Sequence, residues 1–500
     1  METKKSVSIW AATAESQNHP PLDVDVHADV CVIGAGIAGL TAAYLLNRES
    51  KHVVLIDAQD VGAGETGSTT AHFFPPDEWY DTLINSFGTE QAQSVATGFA
   101  EAINLVERIV ANENIDCEFI RLDGYLYAAK EHGSNEIDKE LTAAINAGAE
   151  VQRLDRVPGL PFDTGPCVRF ANQAQFHPLK YLNGLAQAFE RNGGRIFGRT
   201  RAVDLKRNGN LQKVHTEHGV ISADAVVVAT NTPFNDRVVM HTKQSGYQSY
   251  VIGIRVPKGS VPPLLLWDTG DPYYYLRLDS PDGETLVVGG RDHKVGQDEH
   301  PEHRYAELES WVRERFPMAA EVIYRWSGMV MEPADGLAYL GRNPMDSDNI
   351  YVITGDSGNG MTHCTLGAVI VNDLVHGRDN PYARLFDPAR KPWRELSEFV
   401  TENANTLSQY GDWLKGGDVK SVDDIAPGEG AIVQSGVSKV AAYRDPDGQL
   451  HCVSAVCTHL GCVVSFNSAE KSWDCPCHAS RFGIDGEVLH GPAKTPLAKH

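Results

Sequence analysis

Residues 28–59, "ADVCVIGAGIAGLTAAYLLNRESKHVVLIDAQ", read as an apolar strand, a glycine turn, a helix and a second strand that ends on a carboxylate. This is a βαβ unit. Gly34, Gly36 and Gly39 keep the G-x-G-x-x-G spacing directly after the first strand, which leaves backbone N–H groups at the helix N-terminus open to a pyrophosphate. Asp57 closes the second strand 18 residues past Gly39, where a carboxylate accepts hydrogen bonds from ribose hydroxyls. A glycine turn can also serve tight packing alone, but the strand-turn-helix-strand order points to a dinucleotide. On these residues FAD and NAD remain alternatives.

Working outward, "ADAVVVATN" (223–231) and "NIYVITGDSGNGMTHCTLGAVIVNDLV" (349–375) read as further buried parallel strands, the latter running through glycines into a helix. Helix-patterned segments lie near 90–112 and 136–147, and strand-rich ones near 246–256 and 273–291. The pattern predicts a nucleotide domain built from discontinuous pieces with a substrate domain inserted. At 500 residues and 42% hydrophobic, the chain can form two or three domains. Its net charge of -22 repels phosphate backbones, so no nucleic acid partner is expected. No apolar run of about 18 residues and no apolar region near the N-terminus are present, so no transmembrane segment or Sec signal is expected, and a cytoplasmic location is.

Nine cysteines are too few for a disulfide scaffold, and five of them crowd between 452 and 477. Zinc is the plain alternative for Cys and His ligands. The spacing argues otherwise: Cys457-x-His459, fifteen intervening residues, then Cys475-x-x-His478 supplies one thiolate and one imidazole from each of two loops. Cys462 and Cys477 sit at offsets that could face each other across those loops. The boxes "CTHLGC" and "CPCHAS", with "GPAKTPL" (491–497), resemble those of Rieske [2Fe–2S] proteins, in which two histidines replace two cysteines on one iron. That resemblance implies Cys457 and Cys475 on one iron, His459 and His478 on the other, and a disulfide between Cys462 and Cys477, although disulfides are uncommon in reducing cytosol.

The same kind of likeness selects the dinucleotide. "GAGETGSTTAH" (62–72) and "TGDSGNGMTH" (354–363) resemble the second and the C-terminal flavin motifs of the D-amino-acid-oxidase-like, or glycine oxidase, family. The resemblance implies FAD, with Ser68, Thr69, Thr70, His72, Gly355, Gly358, Gly360, Met361 and Thr362 beside it. A helix N-terminus there would stabilise the negative charge of a reduced flavin. His72 resembles the position at which dimethylglycine dehydrogenase-like relatives attach FAD covalently, although Ala71 stands where those carry a bulky residue.

The expected architecture is an α/β FAD-binding (Rossmann-like) domain with an inserted α+β substrate domain, followed by a small all-β Rieske domain. Its parts are a leader over 1–27, an oxidoreductase region over 28–377, a linker over 378–416 and the Rieske domain over 417–500. Within the oxidoreductase region the FAD-binding parts are about 28–90, 180–240 and 330–377, and the substrate domain about 91–179 and 241–329. On the strand "DPYYYLRL" (271–278), Tyr273, Tyr275 and Arg277 share a face, with Arg277 a candidate carboxylate clamp; His293 is a further candidate, each also readable as a sheet-packing residue. The expected function is oxidation of an amine or amino acid by FAD, with electrons leaving singly through the cluster to a one-electron acceptor protein. Two rivals are an oxidase that returns electrons to O2 and a non-catalytic redox sensor or interaction protein. A Rieske oxygenase is disfavoured, because no separate two-His, one-carboxylate iron motif is found.

Overall fold

The computed structural model describes residues 6–500 except 76–79, 131, 132, 236–239, 299, 345, 348, 392–402, 407, 408, 410–412, 414, 415 and 437. The βαβ unit forms as expected: Val26–Ile33, helix Ile37–Arg48 and Val53–Ile56. Val26–Ile33 lies between Val53–Ile56 and Val220–Val228, both parallel to it, and Ile350–Thr354 continues the sheet beyond Val220–Val228. All four side chains of Val53–Ile56 are fully buried, because helices or loops cover both faces. That explains a continuous apolar run in place of alternation. Gly39 is required for packing: a Cβ there would stand 1.8 Å from the Gly34 carbonyl oxygen. Gly34 itself has φ +106°, which favours glycine.

A second, nine-stranded mixed sheet runs in the order Val322–Pro333, Gln244–Arg255, Thr285–Lys294, Tyr274–Leu278, Leu265–Asp268, Ile120–Tyr127, Cys167–Gln175 and His72–Phe73, with Val151–Leu154 paired to Cys167–Gln175. The long helices Thr89–Glu113 and Ser134–Asn146 fall where their periodicity places them. Two small antiparallel sheets make up the C-terminal domain, one of Gly430–Ser435, Ser438–Arg444 and Leu450–Ser454, the other of Ser465–Asn467, Ser472–Asp474, Arg481–Phe482 and Val488–His490.

The leader is not a loose extension. Helix Ile9–Thr13 is capped by Ser8, whose hydroxyl donates to the Gly67 carbonyl (2.6 Å), and the buried Trp10 indole donates to the Thr69 carbonyl (2.6 Å). The second flavin motif is thereby held from behind. Part of the stretch expected as a linker lies outside the described residues; its first part packs on the oxidoreductase region, with Phe386 fully buried and Arg390 forked onto Asp335 (2.7 and 2.8 Å).

The C-terminal domain is seated on the second sheet by buried polar groups. Arg481 binds both oxygens of Asp474 (2.9 Å each) and reaches the Gln248 side chain on Gln244–Arg255. Ala479 packs with Val295, Met329 and Met331, and Gly246 makes room for it: a Cβ on Gly246 would lie 2.3 Å from that of Ala479. Among the described residues, no helix is long and apolar enough to cross a membrane.

Candidate functional site

One cavity opens between the two sheets, at the C-terminal ends of the parallel strands, the position where doubly wound sheets bind dinucleotides. Gly34 and Gly36 line it at the start of helix Ile37–Arg48, whose first N–H, on Ile37, donates to the Thr66 hydroxyl (3.1 Å). A Cβ on Gly36 would approach that hydroxyl to 3.0 Å and fill the cradle. Asp57 also lines the cavity; its two oxygens accept from the N–H groups of Ala35 (2.8 Å) and Gln59 (2.7 Å), so it fixes the glycine turn and keeps lone pairs for a ribose. Burial raises its pKa.

Ser68, Thr69, Thr70 and His72 line the next stretch of wall, and Gly358, Gly360 and Met361 the end at which helix Gly360–Val375 begins. Gly39, Gly355 and Thr362 do not line it: Gly39 packs the helix on the strand, Gly355 makes a turn at φ +73°, and the Thr362 hydroxyl donates to the Asn359 carbonyl (3.0 Å). His72 is 6% exposed, with Nδ1 3.0 Å from the Thr70 hydroxyl and Nε2 without a hydrogen-bond partner. Burial, with Arg277 nearby, lowers its pKa to about 3, so the ring is neutral. A neutral imidazole with an unsatisfied buried nitrogen, a glycine cradle and a helix start suit a dinucleotide flavin.

Two candidates on the second sheet need correction. Arg277 is fully buried and does not line the cavity; it donates to the carbonyls of Ala71 (2.8 Å) and Phe176 (3.1 Å) and lies over Trp10 at 4.8 Å, so it clamps backbone and not substrate. His293 points away too, with Nε2 3.0 Å from the Tyr250 hydroxyl and Nδ1 2.9 Å from the Lys294 carbonyl. Its neighbour Asp292, one position earlier and therefore on the other face of the strand, does line the cavity. Asp292 is joined there by Tyr273 and Tyr275, and the Tyr275 hydroxyl is 2.7 Å from that of Ser249. Burial pushes Asp292 up to about 6, against a hydrogen bond from Ser249 that lowers it.

In the C-terminal domain the two cysteine boxes meet. Cys457 and Cys475 are 2% and 1% exposed, and Cys462 is joined to Cys477 as a disulfide. A hydrogen bond from Cys475 and another from the Ser480 hydroxyl favour the Cys457 thiolate, while Cys475 is pushed up by the same contact and by burial. The His459 and His478 rings stand edge to face, 5.0 Å between centroids. His478 Nδ1 is buried without a hydrogen-bond partner, and burial beside His241 lowers the pKa of this ring to about 4. Two thiols and two imidazoles at one spot fit a [2Fe–2S] cluster. The surprise is His241, from the oxidoreductase region, whose ring packs 4.7 Å from His459 and 5.2 Å from His478.

Comparison with known proteins finds two domains in the chain. The profile "FAD dependent oxidoreductase" (DAO) matches residues 29–374 and "Rieske [2Fe-2S] domain" matches 415–500. The chain belongs to the DAO family of FAD-dependent oxidoreductases. It ends in a Rieske [2Fe–2S] domain. Similar proteins include the "Putative Rieske 2Fe-2S iron-sulfur protein YhfW" of Bacillus subtilis (strain 168), 34% identical over 98% of this chain and 96% of that protein. The gamma-glutamylputrescine oxidoreductase of Escherichia coli (strain K12) is 25% identical over 75% of this chain and 90% of its own. Glycine oxidase from Geobacillus kaustophilus shares the fold, with a TM-score of 0.60 at 19% identity, over 73% of this chain and 99% of that one. This DAO enzyme carries FAD and a Rieske cluster.

Proposed function

We propose that this enzyme oxidises an amine or amino acid, with FAD supplying a two-electron acceptor and the Rieske cluster a one-electron outlet toward a carrier protein. The observation that carries the reading is the thinness of the wall between the two sites. Met329 and Val330 line the flavin cavity, and Met329 also packs with Ala479, the residue after the cluster histidine His478. A single strand, Val322–Pro333, stands between them. The substrate class is supported by the cavity's own polar groups. Asp292, Ser249 and Tyr275 form a cluster that can accept hydrogen bonds from an amine, and an Asp292 held near 6 can share its proton with a substrate nitrogen around neutrality. The relatives named for gamma-glutamylputrescine and glycine act on amines as well.

The test is anaerobic addition of primary and secondary amines and amino acids to the purified protein. A substrate should bleach the flavin absorbance and then bring up the electron paramagnetic resonance signal of the reduced cluster, with oxygen uptake slow in air. Rapid oxygen uptake with stoichiometric peroxide, the cluster staying oxidised, would show the oxidase alternative to be right. Asp292→Asn is expected to raise KM more than about tenfold while the cofactors stay bound.

A further inference from the structure

Four acids, Asp57, Glu65, Asp292 and Asp356, line the flavin cavity, against two permanently cationic side chains among the described residues, Arg201 and Lys494. The lining histidines His72, His363 and His490 are all lowered by burial and add no charge near neutrality. A pyrophosphate brings two negative charges into this already acidic enclosure, in a chain of net charge -22. Half of the lining cationic charge comes from outside the oxidoreductase region. Lys494 lies in the C-terminal domain, within the segment "GPAKTPL".

That segment is part of the cavity wall. Leu489, His490, Gly491, Ala493 and Lys494 all line it. The segment is tied down at several points: the Arg201 guanidinium donates to the Val488 carbonyl (3.0 Å), the Gln59 amide to the Leu489 carbonyl (3.5 Å), and His490 Nδ1 stands 3.1 Å from the Glu65 carboxylate. The Lys494 ammonium lies 5.2 Å from the centre of the Phe234 ring. Phe234 lines the cavity beside Thr230 and Thr232, just past the end of strand Val220–Val228, and these face the same enclosure as the turn at Gly34 and Gly36.

We propose that the Rieske domain completes the dinucleotide site: residues 489–494 close the cavity over the FAD, and the Lys494 ammonium is a counter-charge for its pyrophosphate. FAD and the docked Rieske domain then hold each other in place. By linkage, whatever loosens that domain weakens FAD binding by the same factor as FAD tightens the domain's docking. Cys475→Ser, which removes an iron ligand, should weaken FAD binding as well as lose the cluster.

The test uses the full-length chain freed of FAD. It is titrated with FAD, read by flavin fluorescence, and with ADP, which carries the adenosine and pyrophosphate without the flavin, read by calorimetry. Lys494→Met, with iron content and the visible circular dichroism of the cluster checked to show a folded domain, is expected to bind both at least about tenfold more weakly, as the loss of a charge-assisted contact implies. Lys494→Arg, which keeps the charge, should stay within about threefold of wild type. Equal affinity of Lys494→Met and wild type for ADP overturns the proposal, as does a loss seen with FAD and not with ADP. A measurement on the unaltered protein guards against misfolded variants: amide exchange in residues 488–494 should slow when ADP is added, and unchanged exchange there overturns the closure. Neither readout involves turnover, so the outcome is separate from that of the amine screen.

Discussion

Replacing Arg481 with methionine strikes the buried pair on which the Rieske domain is seated. The Arg481 and Asp474 side chains are 7% and 1% exposed, bonded through both carboxylate oxygens at 2.9 Å, and Arg481 also reaches Gln248 across the domain boundary. Removing one partner of a buried pair costs about 3–5 kcal/mol, mostly because the other charge is left uncompensated. Asp474 would keep its hydrogen bonds from Asn467 and Ser472, each 2.9 Å, which sets the loss near the lower end, about 3 kcal/mol. For a unit the size of the Rieske domain this amounts to a fall of at least about 12 °C in midpoint temperature. The assay is anaerobic melting followed by the visible circular dichroism of the cluster. The pH dependence has a definite sign. Arg481 holds the folded-state pKa of Asp474 down against burial, so its stabilisation is complete above the unfolded value of about 3.9 and is lost as pH falls through the folded value. In Arg481→Met that carboxylate is orphaned and its pKa rises, so the gap from wild type should narrow on acidification from about pH 7 toward 5. Adding Asp474→Asn removes the stranded charge and should recover at least about half of the loss. A fall of less than about 4 °C, or a double variant no better than the single one, would refute the reasoning.

Three further outcomes follow from the sites. Gly36→Val should abolish FAD binding, because even a Cβ there meets the Thr66 hydroxyl at 3.0 Å; stoichiometric FAD in the purified variant would defeat the cradle assignment. His72→Ala should shift the flavin absorbance and weaken FAD retention by about tenfold or more, while an unchanged spectrum and affinity would place His72 away from the flavin; acid precipitation of the wild type, with flavin measured in pellet and supernatant, reads directly whether the contact is covalent. Phe482 stands fully buried where high-potential Rieske proteins of respiratory complexes carry a tyrosine that donates toward sulfur, so Phe482→Tyr should raise the midpoint potential; one such bond is worth about 60–130 mV, and an unchanged or lowered potential in protein-film titrations would show the argument wrong.

Legibility in the sequence followed the range of the forces involved. The βαβ turn and the two cysteine boxes were readable because their chemistry is set by local spacing: Gly34 and Gly36 open a helix start, and two ligand pairs on short loops need only those loops to meet. Asp292 was missed in favour of His293 because the register shift between Gln248 and Tyr250 and the left-handed Arg291, at φ +62°, decide which face of the strand meets the cavity, and neither feature is written in an apolar pattern. Arg277 looked like a ligand clamp because a guanidinium on a strand is ordinarily placed for an anion; carbonyls contributed by Ala71 and Phe176 from distant segments consumed it. Trp10, His241 and Lys494 were unreadable for the same reason. Each acts across a boundary between parts of the chain far apart in sequence, and only docking reveals the partner.

His241 also bears on how the enzyme can be timed. A redox head carried on a swinging tether must diffuse between stations, and its turnover slows as the solvent thickens. Here the imidazole corner of the head is plugged by a side chain of its own partner domain, packed against both His459 and His478, and the neighbouring face is bolted down by Arg481. The head is a fixture, and its histidine corner faces inward. On the proposed electron route, added glycerol should therefore leave the flavin-to-cluster rate untouched, and a carrier would collect its electron from another side of the iron.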